Sequence, residues 1–431
     1  MRQTVVLGAG LTGLSAAYHM AKSGQQVVVI EREAEVGGAC RTLTEDGFSF
    51  DLTGHLLHLR RDDSTPLLAE LGVLRELRRH RRRAGVALAG RITPYPLQIH
   101  TYRLPAEVRR DCVLGFVQAA LAGRHVESAG EDFATWVLGH FGEGFARHFF
   151  FPYNSKLYCC PPSELTAEWA GRFVPRPSLA DVIDGAFGLF RTPVGYNATF
   201  LYPRHGGIAL LANALASRLA TVRRGVAVRR IELAQRTLEL ESGERLGWKT
   251  LIATVPLPHL VAMTADLPEE LRGIASRLRA VAVANLNLGV RGAALRREHW
   301  LYVPEERFPF YRVGFPSNHG DLAPAGHHTV SVEISVPAGT ALPAEAEELC
   351  LGGLEALGLL RSRRDIVTRS WARIDPAYVV FDGARHAALG SLRDAYQDAD
   401  VVLAGRWAEW KYSTMEDALW DGATVARRLA P

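Results

Sequence analysis

Residues 4–31 read TVVLGAGLTGLSAAYHMAKSGQQVVVIE. Residues 4–8 are an apolar, β-branched run, 12–23 carry apolar side chains at helical spacing, and 26–30 form a second apolar run. That order predicts a β-α-β unit. Gly8, Gly10 and Gly13 set G-x-G-x-x-G at the strand-to-helix turn, and Glu31 ends the second strand at the spacing of a ribose-binding acid. Glycines in this pattern also mark ordinary turns, but strand, helix and terminal acid together point to a bound dinucleotide. Gly8 permits the tight turn, Gly10 lets backbone approach a pyrophosphate, Gly13 lets helix pack on strand, and the helix N-terminus receives the negative charge.

Glu31 is followed by Arg32 and then by Gly37, Gly38 and Arg41. A second glycine pair lets the chain pass close to the cofactor, a feature of FAD proteins more than of NAD dehydrogenases. The chain has 431 residues, enough for two or three domains or one composite domain. With 48% hydrophobic and 22% charged residues and no apolar run near the roughly 20 residues of a bilayer span, it reads as globular, with no integral membrane segment. The 50 basic and 46 acidic residues are spread along the chain, so no dedicated nucleic-acid surface is expected. The arginine run at 78–83 reads as a solvated face. Cys40, Cys112, Cys159, Cys160 and Cys350 are odd in number and form no C-x-x-C pair, which suggests a reducing compartment without zinc or structural disulfides. The first strand begins around residue 3 with no room for a leader ahead of it, so a cytoplasmic location is expected.

Residues 61–199 are mostly helical in pattern, with amphipathic stretches at 66–77 and 133–150. Short strands follow at 226–233, 237–240 and 250–255, suited to completing the nucleotide-binding sheet. Alternating runs at 280–290 and 329–336, with a helix at 344–359, predict the floor of a substrate domain. A buried strand at 399–403, a turn from Gly405 and a helix at 416–429 return to the opening style. The expected fold class is therefore α/β: a discontinuous Rossmann-like FAD-binding domain (1–60, 200–255 and 385–431), a mainly helical domain (61–199) and a mixed-sheet substrate domain (256–384), interwoven.

Gly8 to Gly13, Glu31, Gly37, Gly38, Arg41 and the C-terminal Gly405, Arg406 and Trp410 together resemble the flavoprotein superfamily of amine oxidases, protoporphyrinogen oxidase and UDP-galactopyranose mutase. Segments 50–55, 95–98, 152–158, 197–200 and 300–312 are most similar to UDP-galactopyranose mutases of the eukaryotic type, in the same order, and 405–417 extends the likeness. The resemblance implies FAD held by Gly8, Gly10, Gly13, Glu31, Arg32, Gly38, Arg41, Val228, Gly405, Arg406 and Met415, with His55 on a loop beside the flavin.

A guanidinium presents a fixed fork of donors that matches phosphate oxygens. In the mutase pattern the arginines at Arg172 and Arg312 hold the diphosphate of a sugar nucleotide; the ordinary alternative is two surface arginines in an arginine-rich chain. Tyr302, Tyr378 and Tyr412 match tyrosines aimed at the phosphates, since a phenol buries a ring while offering one donor. Tyr95 and Gln98 match residues that stack on and hydrogen-bond to uracil, and Asn154 and Asn197 match polar residues of the sugar and nucleotide pocket. For each, a buried tyrosine or a satisfied structural side chain is the plain alternative. The chain departs from the pattern at Tyr158, in place of Trp, at His319, in place of a phosphate-binding Tyr, at Glu416, in place of Asn, and at Thr53, in place of Gly.

The resemblance implies a pyranose/furanose mutase acting on a nucleoside diphosphate sugar: N5 of reduced FAD attacks the anomeric carbon, the nucleoside diphosphate leaves, and the ring opens through an iminium and recloses. NAD(P)H would serve as external reductant. The absence of a recognisable Ser-His-Asp or Cys-His constellation agrees with a reaction that needs no protein nucleophile. The competing readings are an FAD oxidase or desaturase of the amine-oxidase type, in which Lys249 and Lys411 are the residues to watch, and a flavin-binding scaffold without catalysis. No residue pattern specifies an oligomeric state.

Overall fold

The computed structural model describes residues 3–123, 128, 130–190 and 198–430. The opening unit is β1 (Gln3–Leu7), α1 (Leu11–Lys22) and β2 (Val27–Ile30), with β1 and β2 parallel and Thr4 opposite Val27. β1 also runs parallel to the strand Arg245–Ala253, which pairs in parallel with Val401–Leu403. The result is a seven-stranded sheet built from both ends of the chain, with the antiparallel pair Val228–Glu232 and Thr237–Leu240 at one edge and Val222–Arg223 at the other. Strands buried on both faces read as unbroken apolar runs, and β1 shows why: Val6 packs into the core under α1, whereas Val5 and Leu7 belong to the core on the opposite face. The C-terminal helix Met415–Arg428 packs against α1 at Gly422, where a Cβ would run into the backbone of Thr12 and Ala16.

A second seven-stranded sheet runs in the order Ile366–Val379, Ala280–Arg291, His327–Pro337, Arg312–Gly314, Trp300–Tyr302, Ala84–Leu88, Arg91–Pro94. All pairs are antiparallel except Trp300–Tyr302 with Ala84–Leu88. One face alternates Leu286, Leu288, Val332 and Ile334 into an apolar core covered by the helix Ala346–Ala356. The other face carries Asn285, Asn287, Ser331 and Glu333 toward a cavity. The helices Ala106–Leu121, Phe133–Phe145, Phe151–Tyr158 and Leu179–Phe187 form the remaining layer.

The α/β class with a mixed second sheet is as the sequence predicts, but the local assignments need correction within 61–199. Three strands, Leu77–Arg81, Ala84–Leu88 and Arg91–Pro94, lie inside that stretch. The helix expected over 66–77 is Ser64–Glu70, closed by Gly72 at φ +78°. The arginine run is therefore a strand, Leu77–Arg81, paired with Thr199–Pro203; its arginines 78, 79 and 81 are exposed. Nor is 133–150 one α-helix: Gly142 leaves helical geometry, and a π-turn at Ala146–Phe150 leads into Phe151–Tyr158. No helix among the described residues is long and apolar enough to cross a membrane.

Candidate active site

The glycine-rich turn leaves β1 through Gly8 at φ +103°, a conformation that favours glycine. Gly10 precedes α1 with no side-chain cap, no acid stands in the first turn, and a Cβ on Gly10 would meet nothing within 4 Å. The first N–H groups of α1 are thus left for a ligand. Glu31 is buried and fixed by two backbone donors, Ala9 N–H to Oε2 at 2.7 Å and Glu33 N–H to Oε1 at 3.0 Å. Gly37 N–H donates to Ala9 O at 2.8 Å, which lays the second glycine pair beside the first turn. Arg41 donates from Nε to Gly38 O at 3.0 Å and from Nη1 to Glu33 at 3.2 Å.

From this turn a cavity of about 1050 Å³ runs between the two sheets. Its wall includes Gly8, Gly10, Glu31, Arg32, Gly38, Arg41, Val228, Arg406 and Met415 at the nucleotide-binding side. His55, Tyr95, Asn154, Tyr158, Tyr302, Arg312, His319, Tyr378 and Tyr412 line the rest. At its centre Arg312 Nη2 donates to Glu333 Oε1 at 2.6 Å, while Tyr311 O–H donates to Oε2 at 2.5 Å and Gly54 N–H to Oε1 at 3.2 Å. The carboxylate of Glu333, only 2% exposed, thereby fixes both the guanidinium and the loop that carries His55.

His55 is held in its neutral form: burial, followed by the nearby Arg406 and Arg312 charges, pushes its pKa down to about 4. Its Nδ1 lies 3.2 Å from Thr53 Oγ1, so the residue that departs from the mutase pattern orients the imidazole. Arg406 donates to Ser413 O and Ala377 O at 2.9 and 2.7 Å, and its guanidinium lies over Tyr378, Trp407 and Tyr412 at 5.2, 5.0 and 4.9 Å. Tyr378 and Tyr412 stack with centroids 6.4 Å apart, and Tyr95 contacts Tyr302 at 4.8 Å. Burial raises the Tyr95, Tyr302 and Tyr378 phenols, Tyr378 to about 12, so these three are proton donors rather than phenolates.

Two expected substrate residues stand elsewhere. Arg172, on the short helix Ala170–Phe173, does not line the cavity; its Nη2 donates to both oxygens of Asp417 at 3.1 and 2.8 Å, and the side chain is 45% exposed. Gln98 is buried behind the wall, with Nε2 donating to Pro175 O at 3.3 Å. Gly13 and Gly405 pack behind the cofactor surface, against the Gly8 carbonyl and the Thr12 side chain. Asn197 lies outside the described residues.

The sequence reading gave no role to Lys156 or Glu333, and gave Glu416, Lys249 and Lys411 no structural partners. Lys156 points all three donors at carbonyls, Glu305 O, Phe308 O and Phe310 O at 2.8, 3.0 and 2.9 Å, and so holds the loop leading to Arg312. Burial lowers its pKa to about 7. Its signal was a lysine inside an apolar helix of a chain with few lysines. Glu416 accepts from Arg60 N, Arg61 N and Ser64 O–H at 2.8, 2.9 and 2.6 Å, anchoring the segment that follows the His55 loop. Lys411 pairs with Glu409 and Asp421 at 2.7 and 3.0 Å, Lys249 is exposed, and neither lines the cavity.

The family model described as flavin containing amine oxidoreductase matches residues 11–430. The chain belongs to that family. A crystal structure of reduced UDP-galactopyranose mutase superimposes with a TM-score of 0.92 at 26% identity, covering 100% of this chain and 94% of that one. Cyclohexylamine oxidase from Brevibacterium oxydans IH-35A shares the fold at a TM-score of 0.66 and 16% identity, over 100% and 98% of the two chains. Among curated proteins, 4,4'-diapolycopene oxygenase of Methylomonas sp is 46% identical over 56 residues, 13% of this chain and 11% of that protein. All-trans-retinol 13,14-reductase of Macaca fascicularis is 45% identical over 53 residues, 12% and 9% respectively. The matched stretch thus spans about a tenth of those relatives' length.

A flavin is the group this family carries, and the residues fit it. Gly10 faces open space, the first turn of α1 is uncapped, and Arg406 Nε and Ser413 Oγ, both of cavity-lining residues, are buried without partners.

Proposed function

We propose that this amine oxidoreductase family member is an FAD-dependent pyranose/furanose mutase acting on a nucleoside diphosphate sugar. The observation that supports the reading most is whole-chain similarity to the mutase structure combined with a cavity whose centre holds an oriented guanidinium among tyrosine hydroxyls. Such a wall suits an anion that must leave and return: Arg312 offers charge-assisted donors, and Tyr302, Tyr378 and Tyr412 offer hydroxyls. Arg172, which does not line the cavity, would join them only by exchanging Asp417 for a phosphate oxygen.

FAD would be held by the glycine turn, Glu31, Gly38, Arg41, Val228, Arg406 and Met415, and when bound and reduced it supplies the nucleophile for the anomeric carbon. The chain's own part is to orient the sugar, retain the diphosphate and exclude water. His55, neutral and with Nδ1 engaged by Thr53, adds no positive charge beside the cofactor. NAD(P)H would keep the flavin reduced.

The second reading is an FAD oxidase or desaturase, favoured by the curated relatives named for reductase and oxygenase activities. Nucleotide-sugar turnover by anaerobically reduced protein tests the choice: a product of equal mass supports the mutase, and oxygen-dependent conversion of a substrate to a product two hydrogens lighter supports the rival.

A further inference from the structure

Two asparagines on the cavity wall carry hydrogen-bonding capacity that the protein leaves unused. Asn285 and Asn287 stand two residues apart on the strand Ala280–Arg291, so the pleat turns both to one face. Leu286 and Leu288 fill the core on the other side. Both asparagines line the cavity and are 0% and 1% exposed. Asn285 Nδ2 donates to Asn287 Oδ1 at 2.9 Å, which leaves Asn285 Oδ1 and Asn287 Nδ2 buried without a partner. Flipping both amides gives the same outcome: the linked pair always presents one free acceptor and one free donor side by side. Orphaned buried amides weaken a fold, and apolar residues occupy most neighbouring positions of this strand. The pair therefore reads as provision for a ligand.

Register shows which part of a ligand it meets. Asn285, Glu333 and Arg312 lie side by side on three adjacent strands. With strands about 4.8 Å apart, Asn285 stands roughly 10 Å from Arg312, backbone to backbone, about the step from a phosphate across one sugar ring. We propose that Asn285 and Asn287 form a subsite for two neighbouring hydroxyls of the sugar, one donating to Asn285 Oδ1 and the other accepting from Asn287 Nδ2. A hydroxyl both donates and accepts, so an adjacent pair satisfies both amides; an apolar substrate satisfies neither. The inference rests on the nucleotide-sugar reading above.

The test uses the flavin-loaded full chain, wild type and Asn285→Leu/Asn287→Leu, titrated calorimetrically with UDP and with UDP-galactose. The expected result is UDP affinity within twofold of wild type and UDP-galactose affinity at least about tenfold weaker. The ligand-free variant should melt at or above the wild-type temperature, because two orphaned amides are gone. Asn285→Ala and Asn287→Ala, taken singly, each remove one member of the linked pair without adding charge and give the same discrimination if the leucine pair does not fold. Equal loss of both ligands, or loss of neither, overturns the subsite while leaving the function standing. Lost flavin or a shifted flavin spectrum in the variants assigns the amides to the cofactor and also overturns it. A wild type that binds neither UDP nor UDP-galactose removes the nucleotide-sugar function and this subsite with it.

Discussion

Replacing Glu333 with alanine removes one carboxylate and strands three groups that depend on it: the Arg312 guanidinium at 2.6 Å, the Tyr311 hydroxyl at 2.5 Å and the Gly54 amide at 3.2 Å. Breaking a buried ion pair by deleting one partner costs about 3–5 kcal/mol, because the other charge stays behind uncompensated. Arg312 is 19% exposed, so the lower end, about 3 kcal/mol, applies. The double variant Arg312→Ala/Glu333→Ala has no stranded charge and should be less destabilised than the sum of the single variants by about 2 kcal/mol. Urea unfolding of the four proteins at pH 7, followed by tryptophan fluorescence, measures the cycle. A Glu333→Ala cost under about 1 kcal/mol, or additive single variants, would refute the claim that this carboxylate holds the centre of the cavity.

Gly10→Leu should yield a folded, colourless protein, since its Cβ meets nothing in the chain but enters the space reserved for the pyrophosphate; unchanged flavin content by absorbance would move the cofactor elsewhere. Arg172→Ala should weaken UDP binding by about 2 kcal/mol, as loss of a charge-assisted contact does, yet lower stability by under about 1 kcal/mol, because its pair with Asp417 is half exposed; UDP titration and urea unfolding report the two effects separately. His80, His299 and His319 surround Phe200, and burial lowers the pKa of each, that of His299 to about 3. The unfolded chain protonates them near pH 6.5 while the folded chain does not, so stability should fall as pH drops below about 6.5, by up to about 1.4 kcal/mol per pH unit per histidine. His299→Asn should flatten that slope in melts taken between pH 6.5 and 4.5, and an unchanged slope would count against a neutral cluster.

The nucleotide-binding half was legible because its signals are local. The turn at Gly8, the acid at Glu31 and the apolar runs of β1 and β2 each follow from a few adjacent residues, and the structure places them in one unit. The second sheet was legible where its strands are long, as at Ala280–Arg291, and not where pairing is set by distant chain. Ala84–Leu88 makes a local hairpin with Arg91–Pro94 across Ala89 and Gly90, which the helical reading of 61–199 passed over, and its other partner, Trp300–Tyr302, is more than 200 residues away. The site divides in the same way. Aromatic positions such as Tyr95 and Tyr378 could be taken from their segments, whereas Lys156, Glu333 and Glu416 act through carbonyls, a guanidinium and backbone amides on other elements. Gln98 and Arg172 show the converse: neither a stiff turn nor an arginine reveals from sequence that the side chain is engaged by Pro175 or Asp417.

In the proposed function the cavity isomerises a nucleoside diphosphate sugar on reduced flavin. Its most direct test is turnover of UDP-galactose under anaerobic conditions after a single stoichiometric reduction, with product mass and flavin spectrum followed together. Many turnovers per reduction, a ring isomer of unchanged mass and no activity in the oxidised protein are expected. Failure of the reduced protein to convert UDP-galactose, together with stoichiometric oxygen consumption and a product two hydrogens lighter from another substrate, would contradict it.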